Sequence, residues 1–211
     1  MTDDFRPARD EGSPAVILAG GRGSRMGGAD KAFVILAGRP LIAHVIARLG
    51  AQCAPLAINA NGDPARFSAF GLPVLPDGVE GQPGPLAGIL AALDWAAALG
   101  AGAVVTAAVD TPFLPDDLAR RLCRAAGPSG AAIAASPDAT GQMRLHPTFG
   151  LWPTAAREDL RARLAAGERK LTLWAQALGA GVAEFAASPN DPFFNLNTPE
   201  DLAAADRIAA P

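Results

Sequence analysis

The sequence of 211 residues contains no tyrosine, only two cysteines and few aromatic side chains, which make up 6% of it. The two cysteines, Cys53 and Cys123, lie far apart in the chain, and neither belongs to a C-x-x-C motif. Thiolate metal sites and redox motifs therefore have little support, and reduced thiols are expected. Half of the residues are apolar, mostly Ala, Leu and Val, a composition that suits helices packed closely on a sheet.

The chain also lacks an excess of positive charge, since its net charge is −3. Nucleic acid is therefore not expected as a partner, because binding to a phosphate backbone requires a basic surface. The longest apolar candidate for a membrane span, residues 89–109, is interrupted by Asp94, Gly100 and Gly102. We expect a cytoplasmic protein with no membrane partner.

The first residues lack the apolar core of a signal peptide. Residues 1–13 are polar and carry both signs of charge. The sequence therefore predicts a disordered N-terminal tail over 1–13, followed by one domain over 14–211 that is long enough to bury a sizeable core.

A glycine-rich loop with basic residues follows the first predicted strand. Residues 16–18 form a short apolar run, typical of a buried parallel strand, and this run gives way to Gly20 and Gly21. Glycine allows main-chain N–H groups to approach a ligand closely, so such a loop can hold phosphate. Arg25 and Lys31 add positive charge beside it.

Two familiar phosphate-binding signatures do not fit this loop. A P-loop needs Lys and then Ser or Thr after its last glycine, where this chain has Ala29 and Asp30. The dinucleotide fingerprint needs a third glycine where Met26 stands. The residues instead resemble the start of the nucleotidyltransferases, roughly L-A-G-G-x-x-S-x-R-M-G-x-x-K, except that here Arg25 follows Ser24 directly and three residues lie between Gly27 and Lys31. The matching positions are Leu18-Ala19-Gly20-Gly21, Arg25-Met26-Gly27 and Lys31.

Apolar strands alternate with amphipathic helices along the rest of the chain. This pattern predicts an α/β fold, a single Rossmann-like domain with a mostly parallel central sheet and helices on both faces. The predicted strands cover residues 16–18, 56–58, 72–77, 103–109, 131–135, 144–152 and 182–185, with a short extended piece at 33–36. The predicted helices cover residues 41–51, 86–99, 116–126, 154–166 and 172–178, and a last helix begins at 199.

Polar residues stand where two predicted strands end, and open α/β sheets bind ligands outside the carboxyl ends of their strands. Asn59 follows residues 56–58 and either reads a base or sugar through its amide or belongs to an ordinary turn. Asp110 follows residues 103–109 and either binds Mg²⁺ together with phosphate oxygens or forms an Asx turn before Pro112. Both interpretations of Asp110 can hold together.

Three further features point toward the same crevice. Gly84 and Pro85 open the helix 86–99, whose free N–H groups can take an anion. His146 is held extended by the following proline and is able to face a substrate, but we assign it no acid–base role. Asn195 and Asn197 alternate with apolar residues, so both amides are predicted to face one side of a short strand.

Together these motifs resemble the molybdenum cofactor guanylyltransferases, a nucleotidyltransferase family, over nearly the whole chain from residue 14 onward. The resemblance implies a Mg²⁺-dependent enzyme that transfers GMP from GTP to the terminal phosphate of molybdenum-molybdopterin and releases pyrophosphate. The partners it implies are GTP, molybdenum-molybdopterin, upstream cofactor-synthesis proteins and molybdoenzyme chaperones. The motifs that carry it are 18–21, 25–27, Lys31, 59–61, 84–88, 110–115, 146–148 and 195–199.

The resemblance also assigns roles to individual residues. It implies that Arg25, Lys31 and Asp110 act in catalysis and that Asp110 also holds Mg²⁺. GTP binding is implied for Leu18, Ala19, Gly20, Gly21, Lys31, Asn59, Asp77 and Asp110. The molybdopterin side is implied for Gly84, Pro85, Leu86, His146, Asn195 and Asn197. The assignment of Asp77 to GTP binding rests on the resemblance alone, since the sequence around it predicts only a turn residue after Pro76.

Three alternatives remain open from the sequence. A molybdopterin cytidylyltransferase or a sugar-phosphate nucleotidyltransferase shares the first loop. A non-catalytic nucleotide sensor could use the same fold, since a fold does not fix a function. The presence of both Lys31 and Asp110 favours the enzyme.

Overall fold

A computed structural model describes residues 12–20, 30–78 and 84–209. The strands are β1 (Ala15–Leu18), β2 (Ile35–Leu36), β3 (Arg39–Pro40), β4 (Leu56–Asn59), β5 (Val74–Leu75), β6 (Ala103–Ala108), β7 (Ala132–Pro137), β8 (Met143–Pro153) and β9 (Gly181–Glu184). The α-helices are α1 (Leu41–Gly50), α2 (Pro85–Ala98), α3 (Leu118–Ala125), α4 (Arg157–Ala165), α5 (Leu171–Ala177) and α6 (Pro199–Ala209). Short 3₁₀ turns lie at Lys31–Phe33, Pro64–Phe70, Gly127–Ser129 and Thr154–Ala156.

The described strands form one seven-stranded sheet in the order β5-β4-β1-β6-β8-β7-β9, and β2 and β3 form a separate hairpin. Every strand pair in the large sheet is parallel except the two that β8 makes with β6 and β7. The prediction of a mostly parallel sheet is therefore confirmed. Strand β8 runs against its neighbours because it follows β7 after a short turn at residues 138–142, which is too short for a crossover.

Helices cover both faces of the sheet, as the alternation of buried residues requires. Ile17 of β1 belongs to a core that includes residues of α1 and α3, whereas its neighbour Val16 belongs to a second core with α2, α4 and α5. In the second core the rings of Trp152 and Trp174 stack with their centroids 4.9 Å apart. Successive strand side chains point to opposite faces, so a strand buried on both sides reads as continuously apolar.

The register of the parallel strands places several strand ends at one edge of the sheet. Leu18, the last residue of β1, pairs with Asn59 on one side and with Ala108 on the other, and Asn59 in turn pairs with Leu75. The residues that follow these four positions are therefore neighbours in space. This edge carries the candidate site.

The structure corrects three details of the predicted elements. Strand β5 is only two residues long, and the extended piece at 33–36 is a 3₁₀ turn followed by β2. The segment 193–198 contains no strand, although Asn195 and Asn197 were expected on one. None of the helices in the three described ranges is long and apolar enough to cross a bilayer.

Candidate active site

A lysine, an aspartate and an asparagine from three distant segments meet beyond the end of β6. Lys31 Nζ lies 3.0 Å from Asp110 Oδ2 and 2.5 Å from Asn197 Oδ1. The side chains of Lys31 and Asp110 are 17% and 20% exposed, so the pair is sheltered but open to a ligand. Lys31 begins a 3₁₀ turn that Asp30 caps, because Asp30 Oδ1 accepts a hydrogen bond from the Ala32 N–H at 3.1 Å.

The segment before α6 runs alongside Asp110. The backbone N–H of Leu196 donates to the Asp110 carbonyl at 2.9 Å, and Thr111 Oγ1 donates to Asn195 Oδ1 at 2.5 Å. Both predicted asparagines therefore reach the end of β6 without forming a strand.

The start of α6 is fixed by a reciprocal cap. Thr198 Oγ1 accepts from the Asp201 N–H at 3.1 Å, and Asp201 Oδ2 accepts from the N–H groups of Asn197 and Thr198, each at 2.9 Å. Thr198 is therefore the N-cap of the last helix, which begins at residue 199 as predicted. The reciprocal cap also fixes the backbone of Asn197, whose side chain reaches Lys31.

A second polar group lies on the other side of β1, at the end of β4. Asn59 Nδ2 donates to the Leu75 carbonyl at 3.0 Å and to Asp77 Oδ1 at 2.9 Å. Asn61 Nδ2 donates to Asp77 Oδ2 at 2.7 Å, and Asn61 Oδ1 accepts a hydrogen bond from the Asp77 backbone N–H at 2.9 Å. Asp77 is thus more than a turn residue, since its carboxylate joins two asparagines.

Two glycines border the oxygen of Asn59. A Cβ added to Gly20 would lie 3.5 Å from Asn59 Oδ1, which is an ordinary contact, whereas one added to Gly88 would lie only 2.3 Å away. The absence of a side chain at Gly88 therefore permits α2 to approach Asn59. Both hydrogens of the Asn59 amide are engaged, which orients its oxygen toward this glycine-lined gap.

The residues at the start of α2 differ in what they can offer a ligand. Gly84 and Pro85 are exposed, and Gly84 adopts a positive φ of 72°. The Leu86 side chain is fully buried in the core between α2 and the sheet. A ligand at this helix start can therefore contact Gly84 and Pro85, but of Leu86 it can contact only the backbone.

His146 is buried rather than open to the crevice. The residue is 7% exposed, its Nε2 lies 2.8 Å from Ser136 Oγ, and its ring stacks on Phe193 with centroids 4.5 Å apart. Burial, together with the positive charge of Arg144, lowers the pKa of His146 below its ordinary value of 6.5, and Asp191 opposes this shift. Sequence reasoning missed Ser136 and Asp191, because nothing in an apolar strand or a proline-rich turn marks them.

Gly21 and Arg25, two predicted site residues, lie outside the described residues. Leu18 and the backbone of Ala19 and Gly20 lie between the two polar groups, since β1 is flanked by β4 and β6. Within the described ranges, no cluster of three His, Cys, Asp or Glu side chains could hold a metal ion by itself. Asp110 is the acidic side chain among Lys31, Asp110 and Asn197. Its Oδ1 makes no hydrogen bond to another described residue.

A glycine-bordered crevice at the carboxyl edge of a parallel sheet, with an ion pair on one side and an amide–carboxylate group on the other, is typical of α/β proteins that bind nucleotides. Residues 15–181 match the family model described as the MobA-like NTP transferase domain. The chain therefore belongs to the MobA-like NTP transferase family and is a nucleotidyltransferase.

Individual relatives agree with this assignment. The chain is 51% identical over 202 residues to the molybdenum cofactor guanylyltransferase of Bradyrhizobium sp. strain ORS 278, covering 93% of each chain. It is 55% identical over 193 residues to the protein of the same name from Cereibacter sphaeroides, covering 92% of this chain and 95% of that one. The solved structure of molybdopterin-guanine dinucleotide biosynthesis protein A from Archaeoglobus fulgidus has a TM-score of 0.69 at 24% identity, over 93% of this chain and 98% of that one, which supports the fold.

Proposed function

We propose that this chain transfers GMP from GTP to the terminal phosphate of molybdenum-molybdopterin, giving the guanine dinucleotide form of the cofactor and pyrophosphate. The observation that carries the proposal is the pair Lys31–Asp110 at the end of β6, facing the Asn59–Asp77 group across β1. The high identity to proteins named molybdenum cofactor guanylyltransferase supports the choice of substrates. We place the activity in one cytoplasmic domain over residues 14–211, and we extend its partners to upstream cofactor-synthesis proteins and molybdoenzyme chaperones.

The crevice offers two ends to the nucleotide. Adjacent parallel strands lie about 4.8 Å apart, so groups at the ends of β4 and β6 are separated by roughly 10 Å, which suits a nucleoside and its phosphates laid across β1. We assign the nucleoside to Asn59 and Asp77, and the phosphates to Lys31 and to the backbone of residues 18–21. Arg25 is assigned to the phosphates from the sequence.

We assign the acceptor to the remaining predicted residues. Asn195 and Asn197 lie against the end of β6, beside Lys31, to which the phosphates are assigned. Gly84, Pro85 and the backbone of Leu86 offer a helix start on the opposite face. We also assign His146 to the acceptor side of the crevice. Because His146 is buried, we assign it an indirect role, without contact to the acceptor.

The residues present fit a magnesium ion held jointly by protein and substrate. Asp110 Oδ2 contacts Lys31, and Asp110 Oδ1 remains without a hydrogen bond to any other described residue. Mg²⁺ commonly binds through one or two carboxylates and completes its shell with water and substrate phosphates, so a single aspartate is sufficient. When bound at Asp110, Mg²⁺ would neutralise charge on the phosphate oxygens.

The chain's own residues supply position and charge. The attacking group is a phosphate monoester that is largely ionised at neutral pH, so no protein base is needed. Lys31 has three N–H donors, of which Asp110 and Asn197 take two and leave the third for a phosphate oxygen. Lys31 would thereby stabilise the negative charge that develops as pyrophosphate leaves.

The test is pyrophosphate release on mixing the purified chain with Mg²⁺, molybdenum-molybdopterin and either GTP or CTP. We expect release with GTP at a rate at least about tenfold above that with CTP, since a binding site built from hydrogen bonds discriminates strongly between bases. Faster release with CTP would favour the cytidylyltransferase alternative. Tight GTP binding without release would favour the sensor.

A further inference from the structure

A chain of hydrogen bonds connects the sheet to the segment before α6, outside the crevice described above. Ser136 Oγ, on β7, lies 2.8 Å from His146 Nε2, on β8, and donates to Asp191 Oδ1 at 3.1 Å. A carboxylate only accepts, so the single hydroxyl hydrogen of Ser136 goes to Asp191. His146 Nε2–H must therefore donate to Ser136 Oγ.

The order of these three groups differs from that of a hydrolytic triad. In such a triad the histidine lies between serine and aspartate, where it can take the serine proton and be oriented by the carboxylate. Here the aspartate contacts the serine, and Ser136 is 1% exposed. The network thus has no access to a substrate and acts within the protein.

Asp191 fixes the chain that follows it. Its Oδ1 also accepts the Phe193 N–H at 3.0 Å, and its carbonyl accepts the Phe194 N–H at 3.2 Å. The Phe193 ring stacks on His146 and packs edge-on against Phe149, with centroids 5.0 Å apart. His146 therefore holds this segment twice, through Ser136 and through Phe193.

The other end of the same short segment reaches the catalytic edge. Leu196 donates its N–H to the Asp110 carbonyl, and Asn197 contacts Lys31. Only four residues lie between the anchored Asp191 and Leu196, and both Phe193 and Leu196 are buried. Any displacement at Asp191 would therefore be transmitted to the partners of Lys31 and Asp110.

We propose that Ser136, His146 and Asp191 are positioning residues, which set the place of Asn197 and Leu196 against Lys31 and Asp110. The catalytic part of this inference rests on the proposed function, whereas the structural part does not. His146 thus contributes to the reaction through the segment 191–197 rather than by touching a substrate.

The structural part is tested by hydrogen–deuterium exchange on the full chain. Ser136→Ala removes the hydrogen bonds to His146 and to Asp191, and His146→Leu removes the bond between His146 and Ser136. His146→Gln keeps an N–H donor near the Nε2 position. We expect the amides of residues 193–198 to exchange about tenfold faster in the first two variants and only about twofold to threefold faster in His146→Gln, which keeps the donor to Ser136 but loses the ring stack on Phe193. Amides of α5 serve as the internal control. Unchanged exchange in Ser136→Ala, which deletes only one oxygen, would overturn the proposal even if His146→Leu fails to fold.

The catalytic part is tested by a double-mutant cycle with Asn197→Ala, using the initial rate of pyrophosphate release. We expect Ser136→Ala to lower kcat about tenfold in the wild-type background and less than about twofold in the Asn197→Ala background, because coupled residues are not additive. His146→Gln should recover most of the rate. Fully additive losses, or an unchanged kcat despite faster exchange, would refute the positioning role. If the wild-type chain releases no pyrophosphate, the proposed function fails, while the exchange comparison still decides the structural part.

Discussion

Lys31 Nζ donates a hydrogen bond to Asp110 Oδ2 at 3.0 Å although the two residues are 79 positions apart in the sequence. The contact exists because β1 and β6 are adjacent parallel strands, so the chain leaving β1 and the end of β6 share one edge of the sheet. Sheltered ion pairs are costly to break from one side, since the remaining charge loses its partner. Under the proposed function, the Lys31 ammonium is the partner of a phosphate oxygen and the Asp110 carboxylate is the ligand of Mg²⁺.

Loss of either member of this pair should abolish most of the activity. We expect Lys31→Ala and Asp110→Ala each to lower the rate of pyrophosphate release from GTP by about a hundredfold or more, as removal of one charge-stabilising group commonly does. The thermal unfolding midpoint should be measured for each variant to establish that the fold is retained.

Matched surface variants provide the control for this prediction. Lys170 is exposed, and Asp116 forms an exposed ion pair with Arg48, so neither belongs to the crevice. Lys170→Ala and Asp116→Asn should leave the rate within about twofold of wild type, because exposed ion pairs contribute little. Folded Lys31→Ala or Asp110→Ala enzyme with a near-wild-type rate would contradict the assigned roles.

Asp77 should matter for binding GTP rather than for the chemical step. Its two carboxylate oxygens accept from Asn59 and Asn61, so Asp77→Asn places an amide N–H₂ where one of these oxygens must accept. We expect about a tenfold weaker affinity for GTP, measured by calorimetry, because an unmatched donor pair disorders the group assigned to the nucleoside. Wild-type affinity in this variant would show that the nucleoside binds elsewhere.

Much of the fold was predictable because its signals are local. The apolar runs around Val16 and Val104 and the helical stripe of α1 each follow from side-chain periodicity, which the sheet and its two cores satisfy. The antiparallel direction of β8 was not predicted, since direction depends on the length of the connection and on pairing between distant strands.

The candidate site was predictable only in part, for a related reason. Asn59 and Asp110 could be found because each ends an apolar strand, and the topology brings strand ends together. Asp77 is indistinguishable from a turn residue in the sequence, because the two asparagines that bond to its carboxylate reach it only in the folded chain. The approach of Asn197 to Lys31, 166 positions away, has no local signal at all.

The effect of Gly88→Ala on the free energy of unfolding should have opposite signs in the wild-type chain and in an Asn59→Ala variant. In the wild-type chain Gly88→Ala places a Cβ 2.3 Å from Asn59 Oδ1, and Asn59 cannot move without losing its bonds to Leu75 and Asp77. We expect the free energy of unfolding to fall by about 1–3 kcal/mol, as for other overpacked sites. The measurement is urea denaturation followed by circular dichroism.

The Asn59→Ala background removes the clashing oxygen. There, Gly88→Ala should raise the free energy of unfolding by up to about 1 kcal/mol, since alanine is the better helix former. The next atom, once Asn59 Oδ1 and Cγ are removed, is Leu18 Cδ2 at 3.1 Å, which lies at the end of a flexible side chain and can yield. An equal loss of stability in both backgrounds would show that Asn59 is not the cause.

The stability of the chain should decrease as the pH falls below about 6.5, because of His146. Burial and Arg144 lower the pKa of His146 in the folded protein, against the opposing effect of Asp191. Below the ordinary value of 6.5 the unfolded chain therefore binds a proton that the folded chain does not, and protonation favours unfolding. The free energy of unfolding should fall by at most about 1.4 kcal/mol per pH unit from this one group, and the effect should vanish above neutral pH.

Urea denaturation at pH 8, 7, 6 and 5 of the wild type and of His146→Gln, which cannot titrate, isolates the contribution of His146. Parallel curves for the two proteins would show that His146 does not titrate differently on folding, and a gap that closes as the pH falls would support the burial that the structure assigns to it.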